Sequence, residues 1–392
     1  MFQIFGDANS AVSFTSEGRS VLTFTQSGSI AVTGSGTVDV LLAGGGRVRV
    51  APGVYPSGSI RLRSRVDLHL EKGAELRGDA SPDAYFDIPD AVCAVKPEGS
   101  AKAFLYAWDE EDVAITGEGV VNGQGPAFFD QTLNPKTGFW PKPPPPRPRI
   151  VQLVRCKRVK LAGATFRDSP GWTMLIRLCD DLDADGIHVL SDRRMINSDG
   201  IDIDGCRRVR IANADFATGD DCLILRAMRE RKSDSIVCED VLVTNCTLDS
   251  ACQTIRRAVF RDIRAKGRNG IFFDYPVRYL RSDDEGHVSV SDLLFENYSG
   301  AFTESALQIV VEPGVKIRGV SDVTFRDFDI ASAGSLRFIG NAGSVLANIR
   351  LENVRATVAQ KPACQIQAVA SVFFENCVIN GGSGLLGVRQ RR

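Results

Sequence analysis

Short apolar–x–apolar segments, each closed by Asn, Asp, Gly or Ser, recur along this chain, and helix periodicity is almost absent. Copies read VKLAGATFRDS from Val159, VRIANADFATGDD from Val209, VLVTNCTLDS from Val241, LLFENYSG from Leu293, VTFRDFDI from Val323, IRLENVRA from Ile349 and VFFENCVING from Val372. Such alternation followed by a polar turn is the mark of a short strand. Matching apolar positions fall at Leu161, Ala184, Ile211, Val243, Phe260, Phe295, Phe325, Leu351 and Phe374, in steps of 23, 27, 32, 17, 35, 30, 26 and 23 residues. A repeat of this size without helices predicts a solenoid, because one such unit cannot bury its apolar face alone and must stack on its neighbours. The expected fold is an all-β parallel β-helix, its interior a ladder of small, aliphatic and aromatic side chains.

Earlier strands, RVRV from Arg47, VDLHL from Val66 and DVAITG from Asp112, extend the pattern toward the N-terminus. The β-helix is expected over residues 44–392, and residues 1–43, rich in Ser, Thr and Gly, read as a small N-terminal β cap that shields the end of the stack. The 17-residue step from Val243 to Phe260 is too short for a coil like its neighbours: either one coil is pinched, or a loop is missing. Asn134 to Arg149, NPKTGFWPKPPPPRPR, is a proline-rich excursion and not a linker, since the repeat resumes at once.

Composition narrows the function. Hydrophobic residues make up 43%, charged residues 24%, and the formal net charge is −1. That excludes a disordered chain and a strongly basic nucleic-acid binder. The 10 cysteines sit mostly in apolar stretches with no C-x-x-C pair, as expected of buried free thiols and not of a zinc or redox motif. No run of eighteen apolar residues suggests a membrane span. No basic stretch followed by an apolar core opens the chain, so the expectation is a cytoplasmic protein, or a secreted or periplasmic one whose signal has been removed.

The densest polar cluster is INSDGIDIDG, Ile196 to Gly205, followed by TGDDCLIL, Thr218 to Leu225. Asp199 and Asp220 are 21 residues apart, close to one coil, which places Asp199 beside Asp220 and Asp221 on neighbouring turns. Three carboxylates on one face repel one another, and one must take up a proton more readily. A protonated carboxylic acid beside ionised carboxylates is what glycosidic bond cleavage requires: one group protonates the leaving oxygen and another activates water. Asp and Asn also serve as turn residues in β-solenoids, and Asp202 and Asp204, which alternate with Ile201 and Ile203, are open to either reading. A Ca²⁺ site is a further reading of clustered carboxylates.

At these residues the chain resembles the polygalacturonase family of glycoside hydrolases. Asn197-Ser198-Asp199-Gly200-Ile201-Asp202 is similar to that family's N-T-D-G-x-D, and Gly219-Asp220-Asp221 to its G-D-D, at the family's separation. The likeness extends over GGGRVRVAPGVYPSGSIRLRSRVDLHLEKGAELRG from Gly44, GEGVVNGQG from Gly117 and RPRIVQLVRCKRVKLAGATFRDSPGWT from Arg147. The resemblance implies a right-handed parallel β-helix, Asp220 as general acid, Asp199 and Asp221 as the groups that hold and deprotonate water, and an inverting outcome without a metal or other cofactor. A polysaccharide or oligosaccharide, pectin-derived or related, would be the partner, with no role for nucleic acid or membrane. Asn197, Asp202, Trp172, Trp140, Arg256 and Asp274 are the candidate substrate contacts, with Phe139, Phe272 and Tyr275 as further flat faces for a sugar.

Two departures stand out. The family's G-H-G would fall in LDSACQTIRR, Leu248 to Arg257, where there is no histidine; the chain's three are His69, His188 and His287. The family's R-I-K cation clamp is replaced by NGIFFDY, Asn269 to Tyr275, leaving Arg226, Arg256 and Arg268 as alternative cations. A β-helix lyase and a non-catalytic carbohydrate-binding β-helix are the competing expectations.

Overall fold

The computed structural model describes residues 3–5, 11–14, 20–24, 28–33, 38–42, 46–228, 236–248, 250–252, 255–275, 289–344, 346–380, 382–383 and 387–389. The fold is a right-handed parallel β-helix, and the chain divides into two compact units, Met1–Cys222 and Leu223–Arg392. Among the described residues no helix is long and apolar enough to cross a membrane.

In the first unit each coil lays down three short strands. On one face the strands Gly46–Val50, Val66–Leu70, Ala114–Gly117, Lys157–Ala162, Asp180–Asp185 and Arg207–Ala212 pair in parallel. Their apolar alternation sets the register: Val48, Leu68, Ile115, Leu161, Ala184 and Ile211 form one inward row, all buried. The outward positions of the same strands carry ion pairs, such as Arg47 with Asp67 and Arg210 with Asp183 and Asp185.

The polar turn residues have a backbone reason. After this face the chain turns through a left-handed residue on successive coils, Gly117 (φ +103°), Gly163 (φ +74°), Gly186 (φ +63°) and Asn213 (φ +53°). At Gly163 the coils also approach closely: a Cβ would stand 2.7 Å from the Gly117 carbonyl oxygen. At another corner Cys156, Cys179 and Cys206 are stacked. The Cys156 N–H donates to Cys179 Sγ at 3.3 Å and the Cys179 N–H to Cys206 Sγ at 3.4 Å. All three are buried free thiols, as the apolar setting of the cysteines predicts.

The third face holds the strands Ile60–Arg61, Ala103–Trp108, Arg149–Val154, Met174–Arg177 and Ile201–Asp204, again in parallel. Toward the N-terminus, Gly28–Thr33 already pairs in parallel with Gly46–Val50, whereas Gln3–Phe5 pairs antiparallel with Gly28–Thr33 and Ala11–Phe14 with Ser20–Phe24.

In the second unit the strands Cys238–Thr244, Ile255–Gly267, Ser289–Phe302, Gly319–Ser332, Leu346–Val358 and Ser371–Glu375 pair in parallel. Val243, Phe260, Phe295, Phe325, Leu351 and Phe374 lie directly opposite one another in that order. Phe260 stacks on Phe295 with ring centroids 4.6 Å apart, and Phe295 on Phe325 at 5.3 Å. The 17-residue step therefore closes as one short coil, with Val243 paired to Phe260 like any other rung.

Candidate active site

The candidate carboxylates all lie in the first unit, and backbone pairing brings them together. The Thr173 N–H donates to the Asp199 carbonyl at 2.7 Å, and the Gly200 N–H donates to the Asp221 carbonyl at 2.8 Å. Trp172, Asp199 and Asp221 thus stand beside one another on three successive coils, with Asp220 one residue earlier.

The motif's small residues make this approach possible. Ser198 Oγ donates to the Met195 carbonyl at 2.8 Å and accepts from the Gly219 N–H at 3.0 Å, tying the two coils. A Cβ on Gly219 would stand 2.3 Å from the Met195 carbonyl oxygen, and one on Gly200 would stand 2.2 Å from the Cys222 carbonyl oxygen. Both glycines are needed because neighbouring backbone occupies the space a side chain would take.

Asp220 is aimed by fixed donors. Its Oδ2 accepts from the Asn197 backbone N–H at 3.2 Å and from Asn197 Nδ2 at 3.4 Å, and its Oδ1 accepts from the Asp221 N–H at 3.1 Å. The left-handed backbone of Asn197 (φ +58°), a conformation Asn tolerates, accompanies this double donation. Thr218 Oγ1 donates to the Asp220 carbonyl at 2.7 Å, fixing the turn. Asp199 is 4% exposed, while Asp220 and Asp221 are half-buried.

Behind them lies a cation that the motifs do not mark. Arg147, fully buried, donates to the carbonyls of Pro170 (3.0 Å) and Ile196 (3.3 Å), to Glu98 (3.2 Å) and to Asn197 Oδ1 (3.4 Å). By taking the amide oxygen of Asn197, it turns the amide nitrogen toward Asp220. Burial pushes the Arg147 guanidinium below its ordinary range, against the opposing pull of the Glu98 and Asp199 carboxylates. Arg149 is buried too, brought down to about 10 by desolvation, with Asp202 among the charges that oppose the fall. The only sequence signal for this pair was the R-P-R that ends the proline-rich stretch.

Asp202 is fully buried on the same sheet, opposite Leu175. Asp204 is paired with Arg177, both side chains wholly buried. Trp172 is 8% exposed. Trp140 is 3% exposed, clustered with Phe129 and Met195, and the Arg194 guanidinium lies over its ring at 4.4 Å. Phe139 is half-buried in the same stretch. Arg256 and Asp274 lie on the strands Ile255–Gly267 and Ile271–Tyr275 of the second unit, and their side chains fall outside the described residues. In that unit Tyr275 is fully buried, Phe272 is half-buried, and Arg268 is taken up by Glu304 at 2.7 Å. Arg226 is half-buried there. His69 bonds Thr116 at 2.8 Å, His188 lies 3.1 Å from Asp215, and His287 falls outside the described residues. Among the described residues no group of three or more His, Cys, Asp or Glu is arranged to hold a metal ion.

Residues 94–250, which contain all three carboxylates, match the model of glycosyl hydrolases family 28. An endo-polygalacturonase of Pectobacterium parmentieri is 23% identical over 333 residues, covering 79% of this chain and 80% of that protein. A polygalacturonase of Juniperus ashei is 28% identical over 153 residues, 37% of this chain and 29% of its own. The crystal structure of an exopolygalacturonase from Thermotoga maritima superposes with a TM-score of 0.58 at 20% identity, covering 88% of this chain and 87% of that one. A surface adhesin of Streptococcus pneumoniae shares the fold as well, with a TM-score of 0.56 at 13% identity over 86% of this chain and 84% of its own. Joined to the paired carboxylate motifs, the family match and the polygalacturonase relatives support a polygalacturonase-like glycoside hydrolase of family 28.

Proposed function

We propose that the protein hydrolyses glycosidic bonds of a pectin-like polysaccharide or oligosaccharide with inversion, with Asp220 as general acid and Asp199 and Asp221 as the groups that position and deprotonate the attacking water. The observation that carries the reading is the placement of Asp199 beside Asp221 on adjacent coils, with Asp220 oriented by Asn197. One oriented carboxyl meets the leaving oxygen while Asp221 beside it and Asp199 on the adjacent coil hold water, the division of labour that inversion needs. Asn197 positions Asp220. Trp172, Arg256 and Asp274 remain proposed substrate contacts, whereas Asp202 is wholly buried in the sheet.

The test is reducing-end release from a panel of pectic and neutral polysaccharides, with and without EDTA, on the wild type and Asp220→Asn. EDTA-resistant release that disappears in Asp220→Asn supports the assignment, and NMR of the first-formed anomer reads inversion. An active Asp220→Asn protein overturns it. Activity lost to EDTA together with an unsaturated, ultraviolet-absorbing product would mark a lyase instead.

A further inference from the structure

Three coils before the carboxylates, the same sheet face carries an aromatic surface that the proposed chemistry does not use. The Phe86 ring stacks on Tyr106 with centroids 5.4 Å apart and planes 9° from parallel, and on Trp108 at 6.3 Å. Phe86 is 45% exposed, one of the few large apolar side chains in the described residues that open to solvent. It is not a loose loop residue. Its N–H donates to Ser59 Oγ at 2.7 Å, and the preceding Tyr85 carbonyl accepts from Lys102 Nζ at 2.9 Å. A rigid exposed ring gives up little freedom when it binds.

Charge completes the surface. The Arg61 guanidinium lies 3.7 Å from the Trp108 ring centroid, and Arg63 is 3.0 Å from Glu110. Glu110 is also the carboxylate next to Arg61, at 3.8 Å, so two cations share one anion and a positive charge is left over. The nearby Asp109 does not cancel it, because Arg155 grips that carboxylate at 2.7 Å. Arg61 Nε is buried without a hydrogen-bond partner.

We propose that Phe86, Trp108, Arg61 and Arg63 form a subsite for an acidic sugar residue of the substrate chain, remote from the bond that is cleaved; this rests on the hydrolase reading above. The ring takes the apolar face of a pyranose, and the spare cation takes its carboxylate. The subsite lies on the same sheet as the candidate active site. Arg61, Tyr106, Gln152, Leu175 and Asp202 form one cross-strand row, so four strand spacings of about 4.8 Å separate its ends, a span that a chain of several sugars bridges. The subsite therefore selects for chain length and for acidic chains, in place of the cation clamp missing from Asn269–Tyr275.

The test is affinity electrophoresis of the Asp220→Asn protein in gels containing polygalacturonate or its fully methyl-esterified form, alone and with Phe86→Ala, Phe86→Tyr or Arg61→Gln added. Turnover of trigalacturonate by the same substitutions in the wild-type background is measured in parallel. Phe86→Ala and Arg61→Gln should each weaken retention on polygalacturonate by about threefold or more, Phe86→Tyr should restore it, and the Arg61→Gln effect should vanish on the esterified polymer. Trimer turnover should be unchanged. Retention unaffected by Phe86→Ala and Arg61→Gln overturns the subsite, even if the wild type cleaves the trimer. Retention that depends on both residues in a protein that cleaves nothing upholds the subsite and sinks the hydrolase assignment. A change in oligomeric state on Phe86→Ala, with retention intact, identifies the patch as a contact between copies and also overturns it.

Discussion

Asn197 donates twice to one oxygen of Asp220, through its backbone N–H at 3.2 Å and its side-chain amide at 3.4 Å. The second bond can be removed without touching the first. Asn197→Ala takes away one donor worth about 1 kcal/mol, and kcat is expected to fall about fivefold. Alanine is also strained at φ +58°, so the midpoint of thermal unfolding should drop by roughly 2–4 °C. A pH–rate profile that shifts together with kcat would show that Asn197 acts through Asp220; a fall in thermal stability alone would mark a purely structural residue.

Gly219 has no room for a side chain. Gly219→Ala sets a methyl group 2.3 Å from the Met195 carbonyl oxygen, and the two coils must part to admit it. The expected loss is about 1–3 kcal/mol of stability, with activity reduced more than tenfold. Gly171→Ala is the control, since its nearest neighbour would be Arg147 Cβ at 3.7 Å, ordinary contact. Thermal melts and initial rates of the two proteins decide it.

The Arg177–Asp204 pair is wholly buried, and breaking it should cost far more than any surface pair. Asp204→Ala leaves a guanidinium in the sheet and is expected to destabilise by about 3–5 kcal/mol. The double variant Arg177→Met/Asp204→Leu should recover a large part of that loss. A double-mutant cycle by chemical denaturation measures the coupling; additive losses would show that the two side chains do not act as a pair.

Glu304 titrates below the usual carboxylate range because Arg268 donates to it, with Asn269 adding a further bond and partial burial opposing. A lowered folded-state value means that the folded protein holds its proton less tightly than the unfolded chain. The contribution is present above an unfolded value near 4.5, and it is lost as pH falls through the folded one. Arg268→Ala should raise the Glu304 carboxyl signal's midpoint in NMR and flatten the acid-side decline in thermal stability below about pH 5. Because both side chains are largely exposed, high salt should shrink the effect.

Much of this was legible in the sequence because a solenoid writes its register into one repeated position. Leu161, Ala184 and Ile211, and again Val243, Phe260, Phe295, Phe325, Leu351 and Phe374, pair rung for rung as their spacing predicts. The adjacency of Asp199 and Asp221 follows from the same count. What the sequence hid are contacts between segments of different coils. Arg147 reaches Glu98 and Asn197 across 49 and 50 residues, and no local pattern encodes that. Trp140 is a candidate sugar contact because it sits in a loop and loops shape clefts, yet the stretch folds back, the Trp140 backbone N–H donates to the Arg194 carbonyl at 2.8 Å and the side chain is buried. The stacking of Phe86 over Tyr106 and Trp108 has no mark in the sequence, since alternation gives the face of a strand but not what covers it.

Val243 meets Phe260 after 17 residues and Phe260 meets Phe295 after 35, yet both pairs are parallel rungs of one ladder. Hydrogen-bonded rungs are therefore the units of inheritance in this architecture, and the chain between them is free to lengthen or shrink at the turns. Percentage identity counted along the chain understates kinship for such molecules. An alignment that charges for every gap drifts after Thr244, whereas one that matches rung to rung keeps its place.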